Sequence, residues 1–301
     1  MDRDNSLAMP ATGQFILDPE FLRSIAERNR QDYSRADPFP HIVLDDLFAE
    51  EAIERVRREV PSPDDIRWIA FDDARGKKLA SKAETQLGGA TRNLLYQLNS
   101  SVFIEFLETL TGIEGLIPDP HFWGGGVHQI VRGGFLKIHA DFNRHPKLKL
   151  DRRLNLLLYL NRGWQGAWGG NLELWDRNMM ECRKRILPIF GRCVIFSTTD
   201  FANHGHPDPL DCPEDETRKS LALYYYSNGR PRDEVASGHY ATPFRATRRK
   251  ILSHAGNDRA ESPAPDCDVN SQFAKISLPP LRIRLGGLSH AAPQLPRLNG
   301  C

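Results

Sequence analysis

The sequence predicts a mainly β fold with flanking helices, an α+β arrangement whose core is a sandwich or jelly roll. Three observations predict it. Helical spacing is confined to the first part of the chain, strand-like runs fill residues 122–227, and Gly or Pro turn signals separate those runs. Helices followed by strands do not suit a doubly wound parallel sheet, which alternates the two.

Asp18-Pro19-Glu20 opens the first helix, with Asp18 as N-cap and Pro19 in the first turn, where a missing N–H costs nothing. Phe21, Leu22, Ile25 and Ala26 form its apolar stripe. Residues 38–44 read as a short strand. Residues 50–60 read as a helix with Ile53, Val56 and Val60 on one side, stopped by Pro61. Residues 61–90 are mixed and polar, and predict loop with one strand around residues 68–71. The spacing of Leu94, Leu95, Leu98, Val102, Phe103, Phe106, Leu107 and Leu110 predicts two core-packing helices, broken near Asn99-Ser100 and ended by Gly112.

Residues 154–160 form a nearly continuous apolar run, as in a strand buried on both faces. Residues 171–175 alternate after Gly169-Gly170, and residues 193–197 and 220–227 complete a set of at least six strands. Residues 127–132 and 135–141 read as a hairpin, because Gly133-Gly134 can reach the positive φ of a two-residue turn. Such a turn sets Arg132 opposite Phe135, Ile130 opposite Lys137 and His128 opposite His139.

A chain of 301 residues suffices for one large β domain with helical additions. The expected division is a leader and helix over 1–37, a jelly-roll domain over 38–244 and a basic tail over 245–301. From Ala241 onward nine Lys/Arg face four Asp/Glu and aromatics nearly vanish, so little packed structure is expected there. With 26% charged residues and a net charge of +1, the chain offers no field to attract nucleic acid or an anionic membrane. Without its tail it is slightly acidic, which also argues against a nucleic-acid groove. No apolar run is long enough for a membrane helix, and residues 1–6 lack the basic-then-apolar order of a signal peptide, so a cytoplasmic location is expected. Five cysteines with no CxxC pair argue against a disulfide framework or a zinc ribbon.

The chemistry centres on His139-Ala140-Asp141. On a strand His139 and Asp141 project to one side and Ala140 to the other. An imidazole nitrogen beside a carboxylate oxygen is two-thirds of the 2-His-1-carboxylate set that suits non-haem Fe(II) with open positions. Asn203-His204-Gly205-His206-Pro207 offers the third ligand. Periodicity does not separate His204 from His206, but Pro207 has no N–H for the ladder, which ends the strand near His206 and favours His204. Arg218 then opens the last strand, with a guanidinium fork that matches a carboxylate, and Ser220 lies on the same strand face.

These motifs carry a resemblance. Gly-Gly-Phe-Leu-x-x-His-x-Asp at 133–141, Tyr159-Leu160-Asn161 followed by Trp164, and Gly-Gly-x-Leu-x-Leu-Trp at 169–175 are its first three elements. His204-Gly205-x-Pro207 and Arg218-Lys219-Ser220 with the following tyrosines complete it. In this order they resemble the 2-oxoglutarate/Fe(II)-dependent oxygenases of the prolyl-4-hydroxylase-like group, over about residues 39–226. The resemblance implies a double-stranded β-helix (jelly roll) core and iron held by His139, Asp141 and His204. It implies 2-oxoglutarate held by Arg218, with Ser220 and Tyr159 as hydroxyl partners, O2 as co-substrate and ascorbate as reductant. The implied reaction is oxidative decarboxylation of 2-oxoglutarate to succinate and CO2, coupled to hydroxylation of an unactivated C–H. A prolyl residue of a protein or peptide, a free amino acid and a small metabolite are all compatible substrates. A catalytically silent jelly-roll binding protein would usually lack one ligand or the arginine, and all four are present.

The predicted hairpin register puts His128 on the metal-facing side, where it is expected to support a metal ligand or to contact co-substrate or substrate. Gly124-Gly125-Gly126 is no dinucleotide fingerprint, since Gln129 stands where glycine would be needed. His121 and His145 fall in predicted loops and are expected at the surface.

Overall fold

Alternation of side chains along two long strands organises the molecule. The computed structural model describes residues 15–234 and Thr242. Residues 1–14 of the predicted leader and the 245–301 tail lie outside the described residues.

Helices α1 (Pro19–Ser34), α2 (Glu50–Arg58), α3 (Gly89–Leu98) and α4 (Ser101–Thr111) form where their patterns predict them. Asp18 Oδ1 accepts from the N–H groups of Glu20 and Phe21 at 2.9 and 3.0 Å, satisfying two orphan donors of α1. Gly112, at φ 72°, ends α4 in the left-handed region that glycine reaches without strain.

The strands are β1 (His41–Leu44), β2 (Ile69–Asp73), β3 (Gly76–Ala80), β4 (Ile117–Pro118), β5 (Gly126–Ile130) and β6 (Phe135–His139). They continue as β7 (Asp151–Tyr159), β8 (Leu172–Trp175), β9 (Cys182–Ile186), β10 (Cys193–Ser197), β11 (His204–His206) and β12 (Arg218–Ser227). They hydrogen-bond in the order β1-β10-β7-β12-β5-β3-β6-β11-β8-β9, with β2 on β3 and β4 on β12. Every pairing is antiparallel. The sheet curls into a half-barrel, a jelly-roll core with helices packed on its outside.

Strands β7 and β12 pair along their length, with Leu158 opposite Leu221 and Leu156 opposite Leu223. Leu154, Leu156, Leu158, Leu221, Leu223 and Tyr225 share one buried cluster with helix residues such as Leu94, Leu98, Phe103 and Phe106. Leu22, Ala26 and Tyr33 of α1 join it, so this helix packs into the same core as the rest. Tyr225 donates its hydroxyl proton to the Leu98 carbonyl at 2.9 Å, which satisfies a polar atom inside that apolar layer.

Two expectations are corrected. Residues 69–80, predicted as loop with one strand, form the β2–β3 hairpin with Phe71 opposite Lys78. The second correction concerns Gly133-Gly134. Strand β3 pairs antiparallel with β5 through Leu79–Gln129 and Ala80–His128, and with β6 through Gly76–Leu136 and Lys77–Phe135. Both partners therefore run in one direction along β3, and the glycines do not reverse the chain. Residues 131–134 loop out between them, held by Gly133 N–H to Leu210 O at 2.8 Å and Leu210 N–H to Gly134 O at 3.0 Å. The pairs Arg132–Phe135, Ile130–Lys137 and His128–His139 do not form. Ile130 instead faces Arg218, and His128 faces Ser220.

Candidate active site

The inner side of the half-barrel is polar where the outer side is apolar. His139 ends β6, Asp141 follows two residues later, and His204 starts β11 directly opposite His139. Strand β11 can approach this closely because of Gly205, where a Cβ would come 2.8 Å from the carbonyl oxygens of Leu136 and Lys137. His139, Asp141 and His204 each present one possible ligand atom, all within 4.8 Å of one another. All three are buried.

Backbone carbonyls set the tautomers. His139 Nδ1–H donates to Lys137 O at 2.8 Å, and His204 Nδ1–H donates to Ala202 O at 2.9 Å. Each ring thereby turns its Nε2 lone pair toward Asp141, whose oxygens lie 3.7 and 3.4 Å away. Burial pulls the His139 imidazole down to about 3 and lowers that of His204 as well, so both rings are neutral at physiological pH. Burial alone would raise Asp141, but the opposing influences of its neighbours, led by the Arg152 guanidinium and joined by the Asn155 hydrogen bond, together outweigh it and hold the carboxyl well below the usual range. Two neutral imidazoles and one carboxylate could hold a divalent transition metal.

Arg152 and Asn155 were missed by sequence reasoning. Arg152 Nη2 lies 3.2 Å from Asp141 Oδ2, its Nε donates to Asn155 Oδ1 at 2.9 Å, and Asn155 Nδ2 donates to the same carboxylate oxygen. The guanidinium sits over the Tyr224 ring at 3.5 Å and the Phe142 ring at 4.4 Å. One signal was available, because Asn155 interrupts an otherwise apolar run.

A second cationic pocket lies at the start of β12. Arg218 is buried, donates from Nε to Gly170 O at 2.8 Å and from Nη2 to the Tyr159 hydroxyl at 3.2 Å. Gly170 sits at φ +72°, and a Cβ there would come 3.0 Å from Arg218 Cδ. Ser220 stands opposite both Tyr159 and His128. No carboxylate among the described residues pairs with Arg218. Tyr159 also belongs to a buried cluster with Phe39, Leu172, Leu174, Val194 and Phe196, a dry wall beside the guanidinium.

The remaining histidines divide. His206 is buried and neither ring nitrogen has a hydrogen-bond partner among the described residues. Burial lowers it well below the ordinary value, and Arg218 and Lys78 push the same way. A register shift separates it from His204, and it is not part of the three-residue cluster. His128 is buried beside Ser220, with Nε2–H donating to Gly124 O at 3.0 Å. Burial and Lys78 pull it down to about 3. His121 is exposed as expected, but His145 is not at the surface. It is 0% exposed, its Nδ1 accepts from the N–H groups of Lys147 and Leu148, and its Nε2 lies 3.6 Å from Asp119. Its loop is folded around the ring, which overrides the polar local composition. Lys78, also missed, lies on the same face of β3 as Ala80, which stands opposite His128.

Among the described residues no helix is long and apolar enough to cross a membrane. No curated protein matches the sequence. Among solved structures the chain is similar to a Pseudomonas putida prolyl-4-hydroxylase, at 15% identity and TM-score 0.46, covering 69% of this chain and 100% of that one. It is similar to a Trichoplax adhaerens prolyl hydroxylase in complex with a hypoxia inducible factor peptide fragment, at 17% identity and TM-score 0.48, covering 69% and 90%. It is also similar to HygX from Streptomyces hygroscopicus with nickel, 2-oxoglutarate and hygromycin B bound, at 11% identity and TM-score 0.45, covering 70% and 95%. Residues 125–226 match the sequence profile of the 2OG-Fe(II) oxygenase superfamily. The matched segment carries His139, Asp141, Tyr159, His204, Arg218 and Ser220.

Proposed function

We propose that His139, Asp141 and His204 hold Fe(II), that Arg218 anchors 2-oxoglutarate, and that the protein hydroxylates an unactivated C–H. One observation carries this reading: three ligand atoms converge within 4.8 Å, with both imidazole Nδ1–H groups already committed to backbone carbonyls. The donor set fits Fe(II). Bound iron and 2-oxoglutarate supply the oxidation, in which O2 is consumed, succinate and CO2 are released and a hydroxyl group reaches the substrate.

The chain's own residues bind and orient. Arg218 presents a buried guanidinium with no carboxylate partner among the described residues, a match for the distal carboxylate of 2-oxoglutarate. The Ser220 and Tyr159 hydroxyls stand beside it as further donors, and the apolar wall around Tyr159 keeps the charge pair dry. Asn155 and Arg152 hold one oxygen of Asp141 in place, so the carboxylate keeps its orientation. His206, with both nitrogens unpaired, and His128, beside Ser220, are the side chains placed to touch co-substrate or substrate. Residues 38–244 are assigned as the oxygenase domain, and ascorbate is the expected reductant. The prolyl-4-hydroxylase-like motif order favours a prolyl or proline-like substrate.

The test is Fe(II)-dependent conversion of 2-oxoglutarate to succinate by the full chain, compared with Arg218→Ala. Turnover in the wild type and its loss in the variant support the reading. Succinate formation independent of Arg218 would remove the co-substrate assignment.

A further inference from the structure

We propose that the primary substrate carries a free carboxylate that docks against Lys78. The inference rests on the oxygenase reading above and names the substrate class that the same site would accept.

Lys78 lies in the middle of β3, which hydrogen-bonds to β2 on one side and to β5 and β6 on the other. A residue on a strand held this way is well ordered at its backbone, which suits a binding group. Ala80 stands opposite His128 and His128 opposite Ser220, so Lys78, two residues before Ala80 on the same strand, shares their inward face. The charges its ammonium feels there are Asp141, Arg152 and Arg218. The imidazoles of His128, His139, His204 and His206 feel it in turn. Lys78 therefore overlooks both the three-ligand cluster and the Arg218 pocket.

Its partners come next. The ammonium lies over the Phe71 ring at 5.0 Å, and no carboxylate of the described residues forms an ion pair with it. The other cations nearby are engaged. Arg152 is held by Asp141 and Asn155, Arg218 by Gly170 and Tyr159, and Lys77 faces Asp72 at 3.8 Å. Lys78 is partly exposed, so a ligand can reach it, yet protein surrounds it enough to pull it down to about 8. Such burial is unfavourable for a cation until an anion arrives.

Charge balance supplies the last step. Lys78, Arg152 and Arg218 confront a single carboxylate, Asp141. A ferrous ion and a 2-oxoglutarate dianion cancel one another, so the loaded site keeps an excess of two positive charges. A site of that sign concentrates anions and disfavours cationic substrates. A single lysine is a point charge on a flexible stem, which one carboxylate satisfies.

The experiment uses the full chain loaded with Fe(II) and 2-oxoglutarate. Small carboxylic acids, the free amino acids among them, are each compared with their primary amides for stimulation of succinate formation. At least one acid should stimulate where its amide does not. Lys78→Met should raise the half-saturating concentration of that acid at least tenfold, and Lys78→Arg should restore most of it. In an anaerobic titration Lys78→Met should keep 2-oxoglutarate affinity within twofold of wild type, which also shows that the variant folds. Three outcomes would overturn the proposal: no acid stimulates, acid and amide stimulate equally, or Lys78→Met loses affinity for 2-oxoglutarate itself. Failure of the wild type to bind iron and 2-oxoglutarate would instead remove the oxygenase reading beneath it.

Discussion

Strands β7 and β12 are buried on both faces, but the two faces are chemically unlike. Leu154, Leu156, Leu158, Leu221, Leu223 and Tyr225 pack against the helices. Their neighbours Asn155, Tyr159, Arg218 and Ser220 line the inside of the half-barrel. A one-residue step thus separates a layer that stabilises the fold from a layer that does chemistry. The inner face buries charge, which is unfavourable unless each group is partnered. The outer face contributes the apolar burial that offsets it. Function on this scaffold is carried by polar residues at positions where the strand pattern alone would place hydrophobes.

The contrast can be broken most sharply at β11. His204→Ala should abolish tight Fe(II) binding, whereas His206→Ala should keep affinity within about tenfold, the range for residues that only support a ligand. Anaerobic Fe(II) titration of the two variants decides it. The reverse pattern would make His206 the ligand. Next in size, Arg218→Ala should weaken 2-oxoglutarate by about a hundredfold or more, the usual result of truncating one side of a buried charge pair, with iron affinity little changed. Equal loss of both would make Arg218 structural.

The outer face should answer differently. Leu156→Ala should destabilise the fold by about 2–5 kcal/mol in urea melts, while the folded fraction binds iron normally. Loss of iron affinity in that fraction would show that the two faces are not separable.

Acid probes the inner face as a whole. Burial lowers His128 and His139 to about 3, and lowers His204 and His206 as well. In the unfolded chain these rings take up protons near pH 6.5, while the folded state resists. The unfolded state therefore binds more protons, and stability of the metal-free protein should fall as pH drops below about 6.5, by up to ~1.4 kcal/mol per pH unit for each ring. Urea midpoints at pH 7.5 and 5.5 measure this. A flat profile would mean that the inner histidines are more hydrated than their burial indicates.

Much of this was legible in the sequence, for identifiable reasons. The Asp18 cap, the break between α3 and α4, the two long apolar strands and the ordered His139, Asp141, His204 and Arg218 all depend on local pattern or spacing. The β2–β3 hairpin was not legible because Lys78 occupies an inward position where a hydrophobe would have marked the strand. The pairing of β5 was misread because Gly133-Gly134 announces a turn but not which strand takes the exposed edge. That edge goes to β3, some fifty residues earlier in the chain. Arg152 was hidden in Asp151-Arg152-Arg153, a charged trio that reads as a strand terminus rather than the support of a carboxylate.

The most direct measurement is an anaerobic titration of Fe(II) and then 2-oxoglutarate into the wild-type protein, followed by visible absorption. One equivalent of iron should bind, and adding 2-oxoglutarate should produce a weak visible charge-transfer band that is absent in His204→Ala. A folded, iron-loaded protein that shows no band at saturating 2-oxoglutarate would contradict the oxygenase reading.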